Sequence, residues 1–175
     1  MTMRILLFFI LNLFFITAHA QNGSSSPEKK EKVASSKKMN GDILKELNLV
    51  DINGKEYTLE DLDDKVIVLH FWFTKCKPCI AEIPTLNKLE NEFKDKPVVF
   101  FAITFDDTET LNHFFKNREF NYHIIPYERR TIDKFEVPYY PYNILIHKDR
   151  KIEYLNEIDF YNKYRKMKKK LKKML

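Results

Sequence analysis

Phe71-Trp72-Phe73-Thr74-Lys75-Cys76-Lys77-Pro78-Cys79 carries the only two cysteines of the chain, two residues apart, directly after an apolar run. The preceding residues Val66 to Phe73 are rich in β-branched and aromatic side chains and read as a buried strand. From Lys77 to roughly Lys94 the apolar residues take helical spacing, with Ile80, Ile83, Leu86, Leu89 and Phe93 on one stripe. Pro84 inside it predicts a kink, and Lys96-Pro97 ends it. A Cys-x-x-Cys at a strand-to-helix junction is suited to redox chemistry. The first N–H groups of a helix are unpaired and its N-terminal field is positive, which stabilises a thiolate at Cys76.

Outward from the dithiol, strands and helices alternate. On the N-terminal side, Leu47 to Ile52 alternates into the turn signal Asn53-Gly54, and Lys55-Glu56-Tyr57 returns as the second strand of a hairpin. Thr58 to Leu62 reads as a short helical turn with Thr58 as cap. On the C-terminal side come a buried strand at Val98–Thr104, a helix opened by Asp106-Asp107-Thr108, and a short strand at Tyr122–Ile125. A brief helix follows around Ile132 to Phe135, then a strand at Tyr142–Ile146, its return at Lys151–Leu155, and a final helix from about Glu157. The pattern predicts an α/β sandwich with a mixed central sheet.

The ends of the chain have a different composition. Arg4 followed by the apolar Ile5–Ile16 and the small residues Ala18 and Ala20 reads as a signal peptide over 1–20, with Gln21 as the mature start. Retention of the segment as a membrane anchor is the alternative. Residues 21–39, low in apolar content, read as a disordered linker, and 40–175 as one domain with a basic C-terminal helix. Formal net charge is +5, from 30 Lys and Arg against 25 Asp and Glu. The excess sits in the run from Lys163 to Lys173, a local feature that does not mark the domain as a nucleic-acid binder.

An exported pair of cysteines could be a structural staple, but a bridge over two intervening residues closes a very small loop and removes little chain entropy. Zinc would need two more ligands, and there is no second cysteine pair or His-x-x-x-His; no metal and no cofactor beyond the dithiol is expected. His70, His113, His123 and His147 lie on different elements and read as packed or surface residues.

The order of elements resembles the thioredoxin fold. Leu49 to Lys55, Leu59 to Leu62, Phe71-Trp72, Cys79 to Leu86 with its glutamate and proline, Ala102 to Asp106, and Val137-Pro138-Tyr139-Tyr140-Pro141 are together similar to the TlpA/ResA-type thiol-disulfide oxidoreductases. The resemblance runs from about residue 47 to 155. It implies a thioredoxin-like α/β fold, a mixed central sheet flanked by helices with an extra N-terminal β-hairpin. The chain departs from the family pattern at Lys75, usually Trp, at Tyr142, usually Thr, and at Arg150, in a turn that often carries Gly.

Roles follow residue by residue. Cys76 is the candidate nucleophile, flanked by Lys75 and Lys77, and Cys79 the resolving thiol, more buried and protonated. Glu82, three residues on, shares its helical face. Its position alone is compatible with a solvated helix residue, whereas the resemblance implies the acceptor of the Cys79 proton. Pro78 suits the second helical position and stiffens the loop. Pro138 and Pro141 are both candidates for a cis peptide from the sequence alone; the resemblance implies Pro141, facing Cys76, with the Tyr140 backbone placed to pair with an extended substrate. Trp72 is placed either beside the site, shielding it, or in the core. Tyr140, Pro141, Trp72, Lys75, Lys77 and Pro78 are thus the candidates to line the substrate surface. Asp106 reads as a helix cap.

The leading functional reading is an exported reductase of disulfides in extracytoplasmic proteins, in a periplasm or equivalent compartment. By resemblance it draws electrons from a membrane dithiol donor and serves cytochrome c maturation among other substrates. A dithiol oxidase, a copper-handling binder of the same fold, and an adaptor docking on anionic membrane through 163–175 are the alternatives. The last helix is otherwise read as packing on the sheet with its lysines in water.

Overall fold

The computed structural model describes residues 39–155 and 160–175. The expected signal peptide, the expected linker up to residue 38 and the start of the last helix at Glu157 lie outside the described residues. Met39 already stands in a turn and packs on the core, so folded structure begins within the stretch read as linker.

Strands β1 (Asn48–Val50) and β2 (Glu56–Thr58) form an antiparallel hairpin in which Val50 faces Glu56. Five residues connect them, against the two expected of an Asn-Gly turn. Asp51 explains the longer loop. It is buried, and its carboxylate accepts from the backbone N–H groups of Asn53 (2.9 Å) and Lys55 (3.0 Å). Gly54 takes φ +82°, a conformation that disfavours any side chain. The following 3-10 turn, Glu60–Leu62, has Leu59 and not Thr58 as its N-cap; Thr58, one residue earlier, exchanges hydrogen bonds with Asp61, whose carboxylate accepts from the Thr58 N–H and hydroxyl and whose N–H donates to Thr58 Oγ1 at 3.3 Å.

The main sheet has five strands in the order β5 (His123–Ile125), β4 (Val98–Ile103), β3 (Val66–Phe71), β6 (Tyr142–Ile146), β7 (Ile152–Leu155). The β3–β4 and β4–β5 pairs are parallel, and β3–β6 and β6–β7 antiparallel, which is the mixed sheet expected. Helix α1 (Lys77–Phe93) crosses from β3 to β4, and α2 (Thr108–Phe115) from β4 to β5. Helix α3 (Arg129–Lys134) precedes β6, and α4 (Phe160–Met174) closes the chain.

The period-two alternation of β3 divides the core into two layers. Val66, Val68 and Trp72 meet α1, α2 and α4 on one face. Ile67, Leu69 and Phe71 meet the hairpin and α3 on the other. A strand buried on both faces is written almost wholly in apolar residues, and β3 has a single polar interruption, His70. The outer edge of β7 is paired by the N-terminal segment: Gly41 N–H donates to Ile152 O and Ile152 N–H to Asp42 O.

Candidate active site

The central strand β3 delivers the dithiol. Trp72 N–H still donates to Ile103 O (3.1 Å), after which the chain leaves the sheet. Thr74 N–H then donates to the Asp106 carboxylate (2.6 Å), tying the approach loop to the end of β4. Asp106 is therefore not the helix cap it was read as. Asp107 caps α2, accepting from Thr110 N–H (2.6 Å), and that leaves Asp106 to hold the dithiol loop.

Cys76 is the N-cap of α1, and its sulfur accepts from Cys79 N–H (3.3 Å). An N-cap group sits where the unpaired N–H donors of the first turn converge, so a thiolate there is stabilised by hydrogen bonding and by the helix field. Cys76 and Cys79 are joined in a disulfide. Cys76 keeps 5% of its surface accessible and Cys79 none, so the attacking and resolving sulfurs are distinguished by access. Lys77 and Pro78 occupy the first two helical positions, where a missing N–H breaks no helical bond, and Lys75, Lys77 and Pro78 are exposed around Cys76.

The Tyr140–Pro141 peptide is cis. Tyr140 ends a partly buried aromatic cluster in this region. Phe73 stacks on Phe105 with centroids 5.3 Å apart, and Tyr140 meets Phe73 edge-on at 5.3 Å. The Arg129 guanidinium lies 4.6 Å over Phe105. Burial pushes the Tyr140 phenol above its ordinary value, so it is un-ionised at neutral pH. Phe73 and Phe105 were not singled out from the sequence, because one aromatic at each of two strand ends reads as core.

One sequence expectation is corrected. Trp72, a candidate for the substrate surface, has no exposed area; it packs among Phe114, Phe115 and Phe120 at 5.3–6.0 Å. At the strand end its ring follows the inward face of β3, so it supports the site from beneath and cannot touch a substrate. Tyr142, where the family pattern usually has Thr, is buried on the opposite layer beside Tyr139 and Tyr154. Arg150 takes φ +65° in the turn before β7, and its guanidinium pairs with Asp63 at 2.6 Å.

Glu82 is not solvated. It lies on the inward stripe of α1 with 4% of its surface accessible, and its Oε1 accepts from Lys163 Nζ of α4 at 2.5 Å. Burial holds the Glu82 carboxyl above the usual carboxylate range, with the Lys163 ammonium opposing that rise. Oε2 is buried and finds no hydrogen-bond partner among the described residues. Lys163 was read only as part of a basic run. The available signal was its register, four residues before Met167 and eight before Leu171, both buried.

A family model described as the AhpC/TSA family matches residues 40–155. A thiol-disulfide oxidoreductase ResA of Bacillus cereus is 35% identical over 106 residues, 59% of this chain and 61% of that protein. The ResA of Bacillus subtilis is 31% identical over 106 residues, 59% of this chain and 59% of that protein. The chain thus matches less than two thirds of the length of these relatives. Among solved structures, a thiol:disulfide interchange protein from a Bacteroides species superposes with TM-score 0.63 at 22% identity, covering 76% of this chain and 90% of that one. The thioredoxin domain of a Bacteroides vulgatus thiol-disulfide oxidoreductase gives TM-score 0.59 at 24% identity, covering 73% and 96%. These likenesses show a thioredoxin-like fold.

Proposed function

The chain belongs to the AhpC/TSA family, and from that premise and the geometry of its dithiol we propose that it is a thiol–disulfide oxidoreductase that reduces disulfides in exported proteins. The observation that carries the reading is the pair itself: a Cys76 at a helix N-terminus that keeps a small accessible surface, joined to a fully buried Cys79 one turn along. In the reduced protein the Cys76 thiolate attacks one sulfur of a substrate disulfide. A Cys76–substrate disulfide forms, and the other substrate sulfur leaves as a thiolate that takes up a proton. Cys79 gives its proton to a nearby base and attacks the Cys76 sulfur. The Cys76–Cys79 disulfide closes and the second substrate sulfur departs as a thiolate. Two electrons pass to the substrate, and a membrane dithiol donor restores the cysteines by the reverse exchange.

Tyr140, Pro141 and the exposed Lys75, Lys77 and Pro78 form the substrate-facing rim of this proposal, with the Tyr140 backbone pairing an extended segment. An extracytoplasmic location is supported by the Arg4, Ile5–Ile16 and Ala18-His19-Ala20 pattern. A place in cytochrome c maturation rests on the resemblance to TlpA/ResA-type proteins. The oxidase reading has one observation in its favour, the two exposed lysines flanking Cys76, because cations that stabilise the thiolate favour the reduced form.

The test is trapping. Incubated reduced with disulfide-bonded exported proteins, wild type releases substrate thiols, Cys79→Ser accumulates mixed disulfides through Cys76, and Cys76→Ser does neither. Thiol release by Cys76→Ser at the wild-type rate would remove the reading.

A further inference from the structure

Two opposite charges, Glu82 and Lys163, are buried together, the first on the helix that carries Cys79, and the function proposed above assigns a role to neither. The Glu82 and Lys163 side chains each keep 6% of their surface accessible, and they meet at 2.5 Å. Taking two charges out of water is expensive, and a well-packed apolar pair in the same space is often no less stable. A lysine on a helix whose outer face is already lysine-rich had solvent-facing positions open to it. Its placement on the Met167–Leu171 stripe brings a cation to one particular carboxylate.

We propose that Lys163 is a positioning residue for the dithiol: its buried amino group holds Glu82 through Oε1, leaving Oε2 to receive the proton of Cys79. The inference rests on the thiol-exchange reading of the site. Cys79 has no exposed surface, so its proton must first pass to a group inside the protein. His70, on the neighbouring strand, is a poor receiver: burial pushes its imidazole down to about 4, and the Lys163 charge adds to that effect. Its Nδ1 already lies 2.9 Å from Asn143 Oδ1. Tyr122, which feels both Glu82 and Glu90, is held by burial well above its ordinary range and stays a phenol. Glu82 remains as the base, and burial raises its carboxyl, which favours the protonated form that cannot accept. Lys163 offsets this. It touches neither sulfur and acts through the carboxylate.

The experiment compares wild type, Lys163→Met and Lys163→Arg in the full-length chain by two readouts. The first is the carboxyl carbon-13 titration of Glu82, assigned with Glu82→Gln. The second is the pH profile of ring closure. Cys76 is loaded as a mixed disulfide with thionitrobenzoate, and Cys79 attack releases the coloured thiolate without any protein substrate. The expected result in Lys163→Met is an upward move of the Glu82 midpoint by roughly 1–3 pH units, the range for losing an adjacent opposite charge. The acid limb of the closure profile moves with it, and Lys163→Arg returns both toward wild type. A folded Lys163→Met in which either readout stays at the wild-type position overturns the proposal.

Should Lys163→Met not fold, Glu82→Gln/Lys163→Met decides. A folded double variant supports a cation placed for the carboxylate. Loss of fold in both variants overturns the proposal and makes Lys163 a fastener between α4 and α1. A chain that shows the shifts yet reduces no protein disulfide keeps this assignment and removes the reductase reading instead.

Discussion

His70 shows how one buried residue couples the site to pH. Folded, its imidazole stays neutral down to about 4, whereas the ordinary value is 6.5. Between these values the unfolded chain binds the extra proton, so the contribution of His70 is complete above about pH 6.5 and is lost as the pH falls toward 4. The loss is on the order of 3 kcal/mol. Glu82 acts in the opposite sense, because its raised folded pKa lets the folded state hold a proton more readily as pH falls. Comparing the pH dependence of unfolding between wild type and His70→Gln isolates the first effect. The variant is expected to lose less stability across that window, and equal slopes would contradict the assignment. At Glu82 itself, Glu82→Gln is expected to slow ring closure of a Cys76 mixed disulfide by about 10²-fold near neutral pH, read by stopped-flow release of the leaving thiolate. Of these residues, the cysteines were legible because two lone cysteines at a strand-to-helix boundary have few other uses. Glu82 was ambiguous, since a glutamate on an amphipathic helix is usually wet. Lys163 was invisible inside a lysine run, where composition hides register.

Helix α4 shows what the element scale adds. Its sequence reads as a basic helix that either packs on the sheet or docks on anionic membrane, and Met167 and Leu171 are buried against α1. Lys168 pairs with Glu92 at 2.6 Å and Lys170 pairs with Glu153, so part of its charge is answered by the domain itself. Such partly exposed pairs contribute at most about 1 kcal/mol each, and the apolar stripe carries the attachment. Leu171→Ala is expected to cost about 2–5 kcal/mol in denaturant unfolding. Lys172→Ala, on the exposed side, should stay within about 0.5 kcal/mol. Similar losses for the two would mean that α4 is not packed as described. The hairpin gives a second case: Asn53-Gly54 marked the turn correctly, but its length is set by the buried Asp51 carboxylate, which a dipeptide signal does not register. Strands β3, β4 and β6 were legible nearly to the residue because strands buried on both faces are written as largely apolar runs, interrupted here by His70 in β3 and Asn143 in β6.

The molecule as a whole divides its chemistry between layers. The face of the sheet that carries α1 and α4 holds the dithiol, Glu82 and Lys163, while the opposite face, with the hairpin and Tyr142, is structural. Strand alternation places Trp72 on the face of Val66 and Val68, whereas the layer that buries Tyr142 emerges only from the folded sheet. The direction of electron flow is likewise a property of the entire domain, since helix field, flanking lysines and the buried ion pair all weigh on the relative stability of dithiol and disulfide. The midpoint potential of Cys76–Cys79, equilibrated against glutathione or dithiothreitol, therefore tests the central claim most directly. A value well below about −200 mV, toward the reducing end of the thioredoxin-fold range, is the result predicted for a reductase fed by a membrane donor. A value near about −120 mV, the range of a strong dithiol oxidant, would contradict it.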